Sequence, residues 1–313
     1  MADLVNEFSW SKSRDETFRR CPRQYYFQYY GSWGGWDAAA AEERTRTIYV
    51  LKQLQTRQMW AGSKVHDCIK KSLQNLLHCI DPMPEKDAVE TTLALMRKDF
   101  SNSRRGDYWR NPKTCGFFEH EYSLDIADRA WKETADHVVS CLRTFYRSDV
   151  FGMIRTLPPE QWLDMEKFSS FQLDVDGVPG GVKVHVVLDF SFRDDSGGVT
   201  IYDWKTGRSE RERNEIQLAC YTFYATKEGD IPADRVQTIE FNLASGRKSP
   251  YLLKGVGLDS IGRYIAGSIR DMRILLADAA TNQAVEDRFT FTRRESTCTY
   301  CNFRKVCPRW EQA

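Results

Sequence analysis

The sequence lacks several things, and each absence removes a class of function. No apolar run is long enough to span a bilayer. Neither sign of charge dominates: 45 Lys and Arg stand against 44 Asp and Glu, a formal net charge of +1, so no global field draws the chain to nucleic acid. No glycine-rich phosphate loop ending in Gly-Lys-Ser/Thr occurs, so the chain carries no nucleotide motor of its own. There is no internal repeat, and no low-complexity stretch beyond the short alanine run at 38–41. The opening residues MADLVNEFSW lack a basic-then-apolar leader pattern, and a cytoplasmic protein is expected.

What is present is an ordinary globular composition with two unusual features. The 313 residues, 41% hydrophobic and 28% charged, are enough for one elaborated domain or two modest ones. The first feature is the stretch 184–207, VHVVLDFSFRDDSGGVTIYDWKTG. Two alternating apolar runs flank a DDSGG turn, which predicts a β-hairpin with its loop at 194–198. Residues two apart on a strand share a face, so Asp203 and Lys205 point together and Trp204 points oppositely. Hairpin pairing brings Asp189 beside them. Two carboxylates and an ammonium among Val, Ile, Phe and Tyr are costly to bury. They make sense if a divalent cation sits between the carboxylates and the lysine holds a water or a phosphate.

The second feature is nine cysteines. An odd number in a chain expected to be cytosolic argues against a disulfide framework. Cys68, Cys79, Cys141 and Cys220 read as packing on apolar helical faces, and Cys115 as a loop residue with no assigned role. Four remain. Cys298 and Cys301 have the spacing of a metal knuckle, Cys307-Pro308 follows, and Cys21-Pro22 is the candidate fourth ligand from the other end of the chain. One distant cysteine plus a C-terminal triplet fits a [4Fe–4S] cluster better than zinc, which more often uses two paired knuckles. Such a cluster would staple residues 9–30 to 295–310.

Along the chain, 9–30 reads as a helix, then Cys21-Pro22, then an aromatic helix whose Tyr25, Tyr26, Phe27, Tyr29 and Tyr30 are mostly core. Residues 38–80, 86–100 and 131–150 read as helices, with a polar, basic loop at 101–116. His66 flanks the stripe Val65, Ile69, Leu73, Leu76 and Ile80, a place where a histidine is usually structural. Glu166, at the start of the sheet region, could approach the metal, but a surface role is the first reading. Residues 210–228 predict a helix with Gln217 and Tyr221 on one face. Two strands, a long helix at 258–278 and a strand DRFTFT follow.

Taken together, these pieces resemble a known family. The order is Cys21-Pro-Arg with aromatics, Gly62-x-x-x-His66, Asp189, Asp203-Trp-Lys205-Thr-Gly207, Gln217-x-x-x-Tyr221 and Cys298-x2-Cys301-x5-Cys307-Pro308. From residue 9 to 310 the chain resembles the RecB-like branch of the PD-(D/E)XK nuclease superfamily. It is most similar to the iron–sulfur members, the CRISPR-associated RecB-like exonucleases and the AddB-type nuclease domain. One departure is Val187, where family members often carry glycine two residues before the first aspartate.

The resemblance implies an α/β, restriction-endonuclease-like core: a central mixed sheet flanked by helices, as a single nuclease domain over 1–313 with a helical insertion at 31–160. It implies that Asp189, Asp203, His66 and the Trp204 carbonyl bind Mg²⁺ or Mn²⁺. Lys205 would orient or help deprotonate the attacking water. Gln217 and Tyr221 would contact the substrate strand or order the site, and Cys21, Cys298, Cys301 and Cys307 would hold [4Fe–4S]. Arg208, Arg211 and Arg213, just past the site, are placed to take the DNA backbone. The expected activity is metal-dependent DNA hydrolysis, as an exonuclease on single-stranded or frayed DNA in repair, CRISPR or phage defence. A helicase or a defence-system protein is the expected partner. The alternatives are a structure-specific endonuclease of the same superfamily, or a non-catalytic DNA-binding subunit of a larger complex.

Overall fold

A computed structural model describes residues 4–207, 215–253 and 255–311. The chain opens with β1 (Ser9–Ser11), α1 (Lys12–Arg20) and α2 (Pro22–Tyr26), which runs on as a π-helical turn over Phe27–Gly31. Ser11 caps α1 by accepting from Arg14 N at 3.3 Å. Cys21 is extended between the two helices, and Pro22 starts the second, where its missing N–H costs nothing. Tyr25 and Phe27 are buried, in keeping with a core role for these aromatics.

A run of helices follows: α3 (Glu43–Lys52), α4 (Arg57–Leu77), α5 (Glu85–Arg104), α6 (Asp107–Arg110), α7 (Phe118–Glu121), α8 (Asp128–Tyr146) and α9 (Asp149–Ile154). The predicted 38–80 helix is thus two, separated around the Thr56 cap of α4, which accepts from Met59 N. The predicted loop at 101–116 is partly helical, because α5 extends to Arg104 and α6 follows. Cys79 is exposed just past α4, whereas Cys141 and Cys220 pack inside.

The strands are β2 (Lys167–Val175), β3 (Val178–Leu188), β4 (Phe190–Arg193), β5 (Val199–Lys205), β6 (Val236–Asn242) and β7 (Arg247–Leu252). Helices α10 (Glu215–Gly229), α11 (Gly255–Ile274), α12 (Glu295–Thr299) and α13 (Pro308–Glu311) complete the order. The fold is mixed α/β, but the expected single central sheet is two mixed sheets. One has the order β1-β3-β2, with β1 parallel and β2 antiparallel to β3; the other has the order β4-β5-β6-β7, parallel only between β5 and β6.

The division falls at Asp189. Leu188 pairs with Lys167 in the first sheet, and Phe190 pairs with Tyr202 in the second. The hairpin is β4–β5, and its loop closes where expected: Asp194 N donates to Gly198 O at 2.9 Å, and Asp194 Oδ1 accepts from Ser196 N and Gly198 N.

Alternation along β5 places the two sides of the site. Val199 and Ile201 pack in a core with α10 and α11, while Tyr202 and Trp204 pack in a second core with α4, α8 and α9. Asp203 and Lys205 therefore lie on the α10 side. The predicted strand DRFTFT does not form. Its Phe289 and Thr290 carbonyls accept instead from Arg23 Nε at 2.8 Å and Arg23 N at 3.1 Å, which leaves no strand partner. Among the described residues, no helix is long and apolar enough to cross a membrane.

Candidate metal centre and active site

Three elements converge where the two sheets part. Asp189 sits between β3 and β4, 7% exposed, and its Oδ2 accepts from Trp204 N at 2.6 Å. That bond locks the turn between sheets onto β5. Its Oδ1 lies 3.3 Å from His66 Nδ1. His66 comes from α4, which reaches the end of β5 because Gly62 has no side chain: a Cβ there would lie 3.2 Å from Thr206 Oγ1. His137 of α8 holds the same segment by donating from Nε2 to Thr206 O at 2.7 Å.

The third member is Glu166, whose Oε1 lies 3.3 Å from His66 Nδ1. Its side chain is 17% exposed, so it is not the surface residue expected. Its backbone is left-handed, φ 48°, and its N–H donates to Leu188 O at 2.7 Å. Nothing in the sequence marks that turn. The only available signal was a carboxylate placed immediately before a strand that pairs with the run ending at Asp189.

Among the described residues, His66, Glu166 and Asp189 form the one group of three whose ligand atoms all lie within 4.8 Å of one another. Burial raises the Asp189 pKa, and the Asp203 and Glu166 charges add to this against the pull of His66. Burial lowers His66, but its contacts with Asp189 and Glu166 outweigh that and bring it up to about 10. Two carboxylates facing one imidazole favour a positive charge among them. A divalent cation among the same atoms would supply it, and a donor set of carboxylate oxygens with one imidazole suits Mg²⁺ or Mn²⁺.

Asp203 does not join this group. It is 2% exposed and engaged on the α10 side, where its Oδ1 accepts from Gln217 Nε2 at 3.0 Å and from the Tyr221 hydroxyl at 3.1 Å. Gln217 Nε2 also contacts the Tyr221 hydroxyl. Asp203 Oδ2 lies 2.7 Å from Lys205 Nζ but off the line of a hydrogen bond. Lys205 Nζ also donates to Gln217 Oε1 at 3.2 Å. Burial works against the Lys205 ammonium, but the Asp203 charge, with Asp189 and Glu240, holds its pKa above the usual value. Lys205 thus presents its ammonium beside the Asp203 carboxylate. Burial and the neighbouring carboxylates keep Tyr221 a neutral hydroxyl. The sequence-predicted residues thus come together as two linked clusters, joined through the Asp189 to Trp204 bond. Arg208, Arg211 and Arg213 lie outside the described residues.

Cys21, Cys298, Cys301 and Cys307 line one cavity with Arg23, Arg304 and Arg309. Cys301 N donates to Cys298 O at 3.1 Å, which forms the knuckle turn. Among the described residues, no three cysteine sulfurs lie within 4.8 Å of one another. Burial pushes the Cys301 thiol up to about 12, and the other three sulfurs add to this. Among the described residues, the buried Arg304 Nε has no hydrogen-bond partner.

No curated protein matches the chain. Several solved structures are similar to it. One, titled "Crystal structure of SSO0001", shares 16% identity over 61% of this chain and 79% of that one, with a TM-score of 0.32. The sequence model of the PD-(D/E)XK nuclease superfamily matches residues 9–308, nearly the whole length, and the chain belongs to that superfamily.

Proposed function

We propose that the chain is a metal-dependent deoxyribonuclease that hydrolyses phosphodiester bonds, and that His66, Glu166 and Asp189, with Asp203 beside them, hold Mg²⁺ or Mn²⁺. The observation that carries this is the meeting of half-buried His66 and Glu166 with buried Asp189, near the Asp203–Lys205 pair. The cation supplies charge stabilisation at the phosphate and an acidified water. The chain's own residues do the rest. Lys205 presents an ammonium where negative charge develops on the phosphate. Gln217 and Tyr221 fix the Asp203 carboxylate. The Trp204 carbonyl is assigned as a further ligand, and exonuclease action on single-stranded or frayed ends is the preferred mode.

Two finer assignments accompany this proposal. The helical residues 31–160 are read as an insertion in a single nuclease domain. Cys21, Cys298, Cys301 and Cys307 are read as ligands of [4Fe–4S], as in the RecB-like branch. What supports this reading is the cavity that the four cysteines line together.

The test is cleavage of linear and circular, single- and double-stranded DNA with Mg²⁺ and with Mn²⁺. Cleavage of linear but not circular strands supports an exonuclease, and cleavage of circles supports an endonuclease. Asp203→Ala and Lys205→Ala are expected to lower the rate by about 100-fold or more while circular dichroism stays native. Full activity in both variants would refute the assignment.

A further inference from the structure

The buried face of the first sheet is accounted for, but its other face is not. Phe171, Leu173, Val182, Val184 and Val186 pack inward. The alternate positions turn outward, and they include Phe168, 68% exposed, and Val187, 39% exposed. Single exposed hydrophobics are common. These two are cross-strand partners in the β2–β3 register, and the residue two before Val187 on the same face is His185. The Phe168 and His185 rings are stacked, with centroids 4.4 Å apart and planes 28° from parallel. One face of Phe168 is therefore supported and most of the ring lies in solvent. Burial lowers the His185 pKa, and Arg14 and Lys183 lower it further, so the supporting ring is a neutral imidazole.

This pair borders a cleft of about 450 Å³ that also reaches Gln217 and Tyr221, the side chains that hold Asp203. β1 ends at Ser11, opposite His185, and both line the cleft. Its lining also includes the Lys12–Glu16 ion pair and Arg14, which lies over the Tyr29 ring at 4.3 Å and donates to Ser9 O at 3.1 Å rather than to a carboxylate. A supported aromatic ring, a cation without an acidic partner among the described residues, and a path to the candidate site are what a nucleic-acid strand with unpaired bases requires. A base within a duplex has no free face to offer Phe168.

We propose that this cleft guides a single DNA strand into the site, with an unpaired base stacked on the open ring of Phe168 and a neighbouring phosphate on Arg14. The proposal rests on the nuclease reading for its substrate, and it adds where the strand runs and why it must be single. Strand binding is measured by fluorescence anisotropy on the full chain with a labelled thymidine oligonucleotide in EDTA, where no cleavage occurs. Phe168→Ala is expected to weaken strand binding by about 5- to 100-fold, the equivalent of one lost stacking contact. Phe168→Trp is expected to bind within a few-fold of wild type, and blunt duplex binding is expected to be unchanged in both.

The thermal midpoint of Phe168→Ala should match wild type, since the ring is mostly exposed. Single-strand binding by Phe168→Ala equal to wild type would overturn the platform, and so would an equal loss on duplex. A wild-type chain that cleaves nothing with Mn²⁺, yet loses strand binding on Phe168→Ala, would retain the platform and discard the nuclease. Wild-type cleavage with unaltered Phe168→Ala binding would do the reverse.

Discussion

Glu166 carries two costs at once: a left-handed backbone at φ 48°, and a carboxylate held beside Asp189. A non-glycine residue there is strained by about 1–2 kcal/mol. The Leu188 carbonyl that accepts its N–H, and the His66 ring, hold it in place. Glu166→Gly separates the two costs, because it relieves the backbone while deleting the ligand. The variant is expected to keep its thermal midpoint or gain slightly. The Mn²⁺ concentration for half-maximal cleavage should rise by about tenfold or more. A titration with Mn²⁺ on labelled DNA reads the difference, and an unmoved metal requirement would remove Glu166 from the ligand set. Asp203, Lys205, Gln217 and Tyr221 were legible from sequence because strand and helix periodicity alone put them on common faces. Glu166 was legible only as a second choice behind a surface role, because its placement depends on a backbone conformation that residue type disfavours.

At the scale of elements, the site depends on how closely α4 approaches the end of β5. Gly62 sets that distance, since a Cβ would meet Thr206 Oγ1 at 3.2 Å. Alanine in place of a helical glycine gains roughly 1 kcal/mol of helix propensity, so Gly62→Ala is not expected to unfold the chain. It should push α4 outward and draw His66 from Asp189, lowering kcat/KM several-fold with little change in thermal midpoint. Thr206→Ala removes the opposing oxygen, and the double variant should recover most of the loss. A double-mutant cycle checks the coupling, and strictly additive effects would show that this contact does not set the approach. The same scale explains what the sequence misread. The run 184–193 is apolar at every even position through Phe192, yet it serves two sheets, because such a pattern does not report which neighbour is paired. DRFTFT has strand composition, but Arg23 occupies its carbonyls, and that partner lies more than two hundred residues away in sequence.

For the whole molecule, the question is what holds the two ends of the chain together. Direct contacts already do so in part. Arg23 pairs with Glu286 at 2.8 Å, Phe27 and Phe303 rings meet at 5.3 Å, and Asn302 Nδ2 donates to Leu54 O at 2.8 Å. A cluster on Cys21, Cys298, Cys301 and Cys307 would add a covalent constraint on nearly the full chain length, worth about 4–5 kcal/mol if loop closure is treated as for a disulfide. In a chain of this size that corresponds to a fall of roughly 10 °C in thermal midpoint when the constraint is lost. Cys301→Ser is therefore expected to be colourless, less soluble and less stable by about that amount. Its cleavage rate per folded molecule should survive, because His66, Glu166, Asp189 and Lys205 all come from α4, the start of β2, the β3–β4 junction and β5. Anaerobic purification with iron and sulfide analysis, followed by melting and activity assays below the variant's midpoint, separates the two roles. A colourless wild type with the same midpoint as Cys301→Ser would mean that the direct contacts alone close the ends. A stable but inactive variant would mean that the four cysteines act on the chemistry rather than on the fold.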